Sequence, residues 1–175
     1  PVEGVTYHSI AWSLDRERIL ITIGGQPDKR GLYLVYLRCA LTRPDCYPIF
    51  MPISDPNSNL AGFHATPTWY RDSTTFLLPL NLNSLSSTHP TRLWEFDTEM
   101  LETREPIFYE HQNVFFPAWS PTNDILAVST SPNYNPPEIP GQIILIGPDP
   151  QDVRQLAPQL SNSTYAAWSP NGERI

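Results

Sequence analysis

Apolar residues in this chain fall in short runs of four to six, never in the three-to-four spacing of an amphipathic helix. The runs "ILITI" (19–23), "FLLPL" (76–80) and "ILAVS" (125–129) are almost continuously apolar. Strands covered on both faces read this way, whereas a sheet with one wet side alternates. A second set, "LYLVYL" (32–37), "RLWEF" (92–96) and "QIILI" (142–146), predicts a further strand after each. A more polar set, "CYPIF" (46–50), "EPIFY" (105–109) and "VRQLA" (153–157), predicts a last one. Pro48 and Pro106 in this last set fit an edge strand, where a missing N–H is tolerated.

Each run is announced by a tryptophan. Four segments align: "SIAWSLDRERIL", "TPTWYRDSTTFL", "FPAWSPTNDIL" and "YAAWSPNGERI". Trp12, Trp69, Trp119 and Trp168 are separated by 57, 50 and 49 residues. Seven residues after them stand Ile19, Phe76, Leu126 and Ile175, and three after them Asp15, Asp72, Thr122 and Asn171. A helix across these segments is excluded by Pro121, Pro170 and the Asn171-Gly172 pair, which instead signal a tight turn between two strands. The unit is therefore strand, tight turn, strand, strand and outer strand in about fifty residues, which describes one blade of a β-propeller.

The predicted fold is all-β: three four-stranded blades at 8–50, 51–110 and 111–160, with the start of a fourth at 161–175. Residues 1–7 are assigned to the outer strand of a preceding blade. Three blades do not close a ring, and each blade hides its apolar faces only against neighbours. The chain therefore reads as a fragment of a larger propeller, completed by blades from the same chain or another. The sequence opens on Pro1 without an initiator methionine, consistent with a preceding leader or domain.

"AWSPNGERI" and "AWSPTNDILAV" resemble the Trp-Ser-Pro-Asp-Gly repeats of TolB-type β-propellers. "IILIGPDPQDVRQLA" resembles their third strand, turn and fourth strand. The first repeat has Leu14 where that family has Pro, and the second, Trp69-Tyr70-Arg71-Asp72, departs further. The resemblance implies a propeller whose tryptophans are packing elements, and a location outside the cytoplasm. It says little about activity, because one fold hosts many functions.

Composition narrows the function classes. Proline is abundant at 20 of 175 residues and not periodic, which disfavours long helices. A net charge of −7 without a basic run argues against nucleic acid and anionic membranes as partners. No apolar stretch approaches a membrane span, and no signal peptide is evident. The two cysteines, Cys39 and Cys46, flank "ALTRPD". In a hairpin they would face each other and form a disulfide, implying an oxidising compartment; two half-buried free thiols are the other reading.

Candidate chemistry is sparse. The sequence has no nucleophile elbow, phosphate-binding glycine loop or zinc-type His pair, so no catalytic residue, metal or cofactor is assigned. His8, His64, His89 and His111 read as ordinary surface or rim residues. Glu95, Asp97 and Glu99 alternate, as a cation site or a solvated acidic stripe would, and no Asp-rich loop supports the cation. Trp94 and Phe96 on the other face read as core. Asn162-Ser163-Thr164 fits a glycosylation acceptor only in a secretory setting.

Blade topology puts the tight Trp turns on one rim and the long connections at 24–31, 81–91 and 129–141, with the link 51–65, on the other. That long-loop rim is the expected binding surface, with Arg30, His64, His89 and Tyr134 as its contact residues. The leading expectation is a non-enzymatic scaffold for protein–protein interaction. The alternatives are an accessory propeller of a prolyl-oligopeptidase-type hydrolase and a small-ligand or glycan-binding propeller.

Overall fold

The computed structural model describes residues 5–25, 31–43, 45, 49–51, 66–80, 91–100, 103–107, 113–131, 141–149, 152–156 and 165–175. Twelve strands among them form three antiparallel sheets, each a simple meander of four strands in chain order. The first holds β1 (Val5–Trp12), β2 (Arg18–Gly25), β3 (Gly31–Tyr36) and β4 (Ile49–Met51). The second holds β5 (Thr68–Trp69), β6 (Thr75–Leu80), β7 (Arg92–Asp97) and β8 (Thr103–Ile107). The third holds β9 (Asn113–Trp119), β10 (Leu126–Ser131), β11 (Gln142–Ile146) and β12 (Val153–Leu156). The segment 165–175 brings the fourth tryptophan against the third sheet, its indole N–H donating to the Ala118 carbonyl at 2.9 Å.

The sheets stack face to face, so the middle sheet is covered twice. Along β6, Phe76, Leu78 and Leu80 join Leu20, Leu32 and Leu34 of the first sheet, while Leu77 joins Val114, Leu126, Val128, Ile144 and Ile146 of the third. This is why "FLLPL" is apolar throughout: alternate side chains enter two different cores. Phe76 is fully buried and lies parallel to Phe96, its cross-strand partner, with ring centroids 5.1 Å apart. Trp94 packs against the same core from its edge. Burial of side chains this size stabilises by about 1.5–3 kcal/mol each.

Two expectations fail. Val5, Thr6 and Tyr7 pair with Gly25, Gly24 and Ile23, so these residues open the innermost strand of the first sheet and are not an outer strand of another blade. Residues 1–4 lie outside the described residues. The strand expected through Leu37 ends at Tyr36, and the chain turns into the short helix α1 (Leu37–Thr42) instead of a hairpin. Leu37, Arg38, Ala40 and Leu41 are good helix formers. Arg43 takes an extended conformation (φ −135°, ψ 128°), as a residue preceding a proline does, and ends the helix. Cys39 sits in this helix; Cys46 lies outside the described residues.

Two inner strands carry bulges, β1 around His8 and β9 around Phe116, where the register slips by one residue. The His8 ring lies so close to Gly24 that a Cβ there would fall 2.0 Å from its Nε2. Phe116 adopts a positive φ (46°) and meets the Tyr165 ring at 4.2 Å.

Candidate functional site

The polar chemistry of the described residues concentrates on the rim of the Trp turns. In the first turn the Ser13 hydroxyl accepts the Arg18 N–H at 3.0 Å and donates to the Asp15 carboxylate, whose Oδ1 also accepts the Glu17 N–H. The fourth turn repeats this: Ser169 accepts the Arg174 N–H at 2.9 Å and donates to Asn171. Tyr70 stands in the serine position of the second turn, so Asp72 Oδ1 takes over, accepting the N–H groups of Thr74 and Thr75. The fourth residue after the tryptophan is left-handed in these three turns: Arg16 (φ 62°), Ser73 (φ 60°) and Gly172 (φ 69°).

The turns are also joined to one another. Between the first and second sheets, the Trp69 indole N–H donates to the Ala11 carbonyl at 3.0 Å, and the Asp15 N–H to the Ser73 hydroxyl at 3.0 Å. Arg18 is the keystone of this seam. Its guanidinium donates to the Ser73 carbonyl at 2.7 Å, pairs with Asp15 at 3.0 Å, approaches Glu99 at 3.7 Å and lies 5.6 Å above the Tyr36 ring. Burial would raise the Asp15 carboxyl, but the Ser13 and Glu17 hydrogen bonds and the Arg18 charge outweigh it and hold its pKa below the ordinary value.

The seam between the second and third sheets is looser. Trp119 Nε1 is buried without a hydrogen-bond partner among the described residues, and its ring is tilted against Tyr70, 4.6 Å away. Here an open cleft of about 440 Å³ is lined by Tyr70, Arg71, Asp72, Trp119, Asp124 and Leu126, with Ile146, Gly147 and Pro148 at its back. Arg71 and Asp124 form a 3.5 Å ion pair beside it.

Of the residues predicted from sequence, Trp69, Trp119 and Trp168 occupy seams, and Trp12 stands 57% exposed at the open face of the first sheet. Arg30, His64, His89 and Tyr134 lie outside the described residues, as do His111 and the 162–164 acceptor. The acidic trio is not one site: Glu95 accepts from the Tyr70 hydroxyl, Asp97 caps the turn at Glu99 and Met100, and Glu99 reaches Arg18. Sequence reasoning missed Arg18 and Tyr70. Each stands at a fixed offset from its tryptophan, and comparing the repeats position by position would have found them.

Meandering four-stranded sheets stacked through a repeated indole contact define a β-propeller. The arrangement is of TolB type. The chain superposes on TolB from Acinetobacter baumannii with a TM-score of 0.67 at 14% identity, covering 96% of this chain and 36% of that one. A structure of the nidogen/laminin complex gives 0.62 at 11% identity, over 96% and 54% of the two chains. A prolyl endopeptidase structure gives 0.56 at 14% identity, over 94% and 24%. The chain thus spans a quarter to about half the length of these propeller-containing chains. No family model and no curated protein matches it. Among the described residues, no helix is long and apolar enough to cross a membrane.

Proposed function

We propose that this chain is a non-enzymatic propeller scaffold for protein–protein interaction, acting outside the cytoplasm and engaging its partner through the rim opposite the Trp turns. The carrying observation is the contrast between the two ends of the strands. At one end Ser13, Asp15, Arg18 and Ser73 spend their hydrogen-bonding groups on holding turns together. The long connections between second and third strands, and the link 51–65 between the first two sheets, leave their strands at the other end, and Arg30, His64, His89 and Tyr134 on them are the proposed contact residues. Resemblance to TolB and to a chain of the nidogen/laminin complex supports a protein partner. That to TolB supports the location, as does a disulfide that we infer between Cys39, which does not stand as a free thiol, and Cys46.

Further blades, from the same chain or another, are proposed to cover the first sheet. Its face carrying Tyr7, Ile10 and Trp12 is more than half exposed at all three, although the matching face of the second sheet is core. A second reading, an accessory propeller of a hydrolase, is favoured by the likeness to the prolyl endopeptidase structure.

The test replaces Arg30, His64, His89 and Tyr134 together by alanine and compares quantitative affinity capture with the parent chain, folding being checked by circular dichroism. Loss of the captured proteins from a folded variant is expected. Capture of the same proteins at the same level would contradict the assigned surface.

A further inference from the structure

The two seams are built on one pattern, so the first shows what the second lacks. Counting from each tryptophan and through the strand pairing, Arg18 of the first sheet corresponds to Thr75 of the second, and Tyr36 to Asp97. Across the seam, Phe76 and Phe96 correspond to Leu126 and Ile146. At every one of these positions the second seam carries the shorter side chain, and two of the four, Leu126 and Ile146, line the cleft of about 440 Å³. The groups that hold Arg18 keep acidic counterparts there: Asp72 stands where Asp15 stands, and Asp149 where Glu99 stands. Arg71 also lines the cleft, where its charge is met by the exposed Asp124 at 3.5 Å, which leaves the Asp72 carboxylate for an incoming cation.

We propose that this cleft receives an arginine side chain presented by a partner protein. The guanidinium enters where Arg18 lies in the first seam. Asp72 supplies the carboxylate, as Asp15 does for Arg18. The rings of Tyr70 and Trp119 give its face an aromatic surface, as Tyr36 does at 5.6 Å. A planar, five-donor cation suits this pairing of carboxylate and aromatic ring better than the compact ammonium of lysine. The surface lies on the Trp-turn rim, so it is separate from the long-loop rim proposed above, and either can fail without the other.

The test titrates the 175-residue chain with acetyl-Gly-Arg-Gly-amide and with the same peptide carrying citrulline, a neutral isostere, following Trp119 and Tyr70 by NMR. Saturable shifts confined to the cleft are expected with arginine, and binding weaker by about tenfold or more with citrulline, because the charge is lost. Asp72→Asn keeps the turn, since Asn171 caps the fourth turn in the same way, and is expected to weaken arginine binding to a similar degree. Thr75→Arg is expected to fill the cleft from within, raising Tm and abolishing peptide binding. The proposal is overturned if arginine and citrulline peptides bind alike or neither binds, or if Thr75→Arg binds the peptide as the parent does.

Discussion

The two seams join the same kind of surface and are not equally finished. In the first, an indole N–H finds a carbonyl, an arginine bridges two turns, and two parallel phenyl rings fill the space between sheets. In the second, the corresponding indole N–H is buried without a partner among the described residues, and an open cleft lies beside it. The difference traces to a few side chains. Tyr70, in the place of a turn serine, leans on Trp119 and is tethered by its hydroxyl to Glu95 at 2.8 Å. Thr75 cannot reach across as Arg18 does. A repeated fold thus tolerates one loose joint when the neighbouring one is tight, because the middle sheet is held on two sides.

The sharpest break of this comparison is in the core. Phe76→Ala removes a fully buried ring from the tight seam and is expected to cost about 3–5 kcal/mol in urea denaturation. Leu126→Ala, its counterpart beside the cleft, is expected to cost less, since the site is already partly open. Equal losses would mean that the seams pack alike. Next come the indoles. Trp69→Phe strands the Ala11 carbonyl and should cost about 1–3 kcal/mol more than Trp119→Phe, which removes a donor without an acceptor among the described residues. Double-perturbation by temperature and urea on both variants gives the difference directly.

Gly172→Ala probes the joint beyond the second seam. A Cβ there would fall 1.9 Å from Thr122 Oγ1, at a backbone φ of 69° that alanine resists. A loss of about 1–2 kcal/mol is expected, with Trp168 fluorescence shifting toward that of exposed indole. The smallest effect is electrostatic. The Asp15 pKa is depressed, so its contribution to the first seam is complete above the ordinary carboxylate range and is lost as pH falls through the depressed value, below about pH 4. Asp15→Asn should flatten that part of the acid-denaturation profile.

The strand order was legible because the tryptophan and the apolar residue seven positions later recur with a turn between them. "QIILI" coincides with β11 residue for residue. α1 was not legible: six residues give no helical period to read, and its boundary depends on Arg43 preceding a proline. The assignment of 5–7 failed because a bulge at His8 lengthens β1 beyond its regular register, and a bulge leaves no mark in composition. The open first-sheet face was foreseeable from the repeat count. The cleft was not, because its lining comes from separate strands and turns of two sheets that meet only when the sheets stack. Its one signal was that the second repeat carries Tyr70 where the others have serine.

The central claim is that the recurring tryptophans mark sheets stacked side by side, with Trp69 and Trp168 each bonded to the sheet before. Hydrogen exchange of the indole N–H groups tests it most directly. Trp69 and Trp168 should exchange slowly, because the Ala11 and Ala118 carbonyls hold them, and Trp12, more than half exposed, should exchange at the rate of free indole. Trp69 and Trp168 exchanging as fast as Trp12 would contradict the stacking.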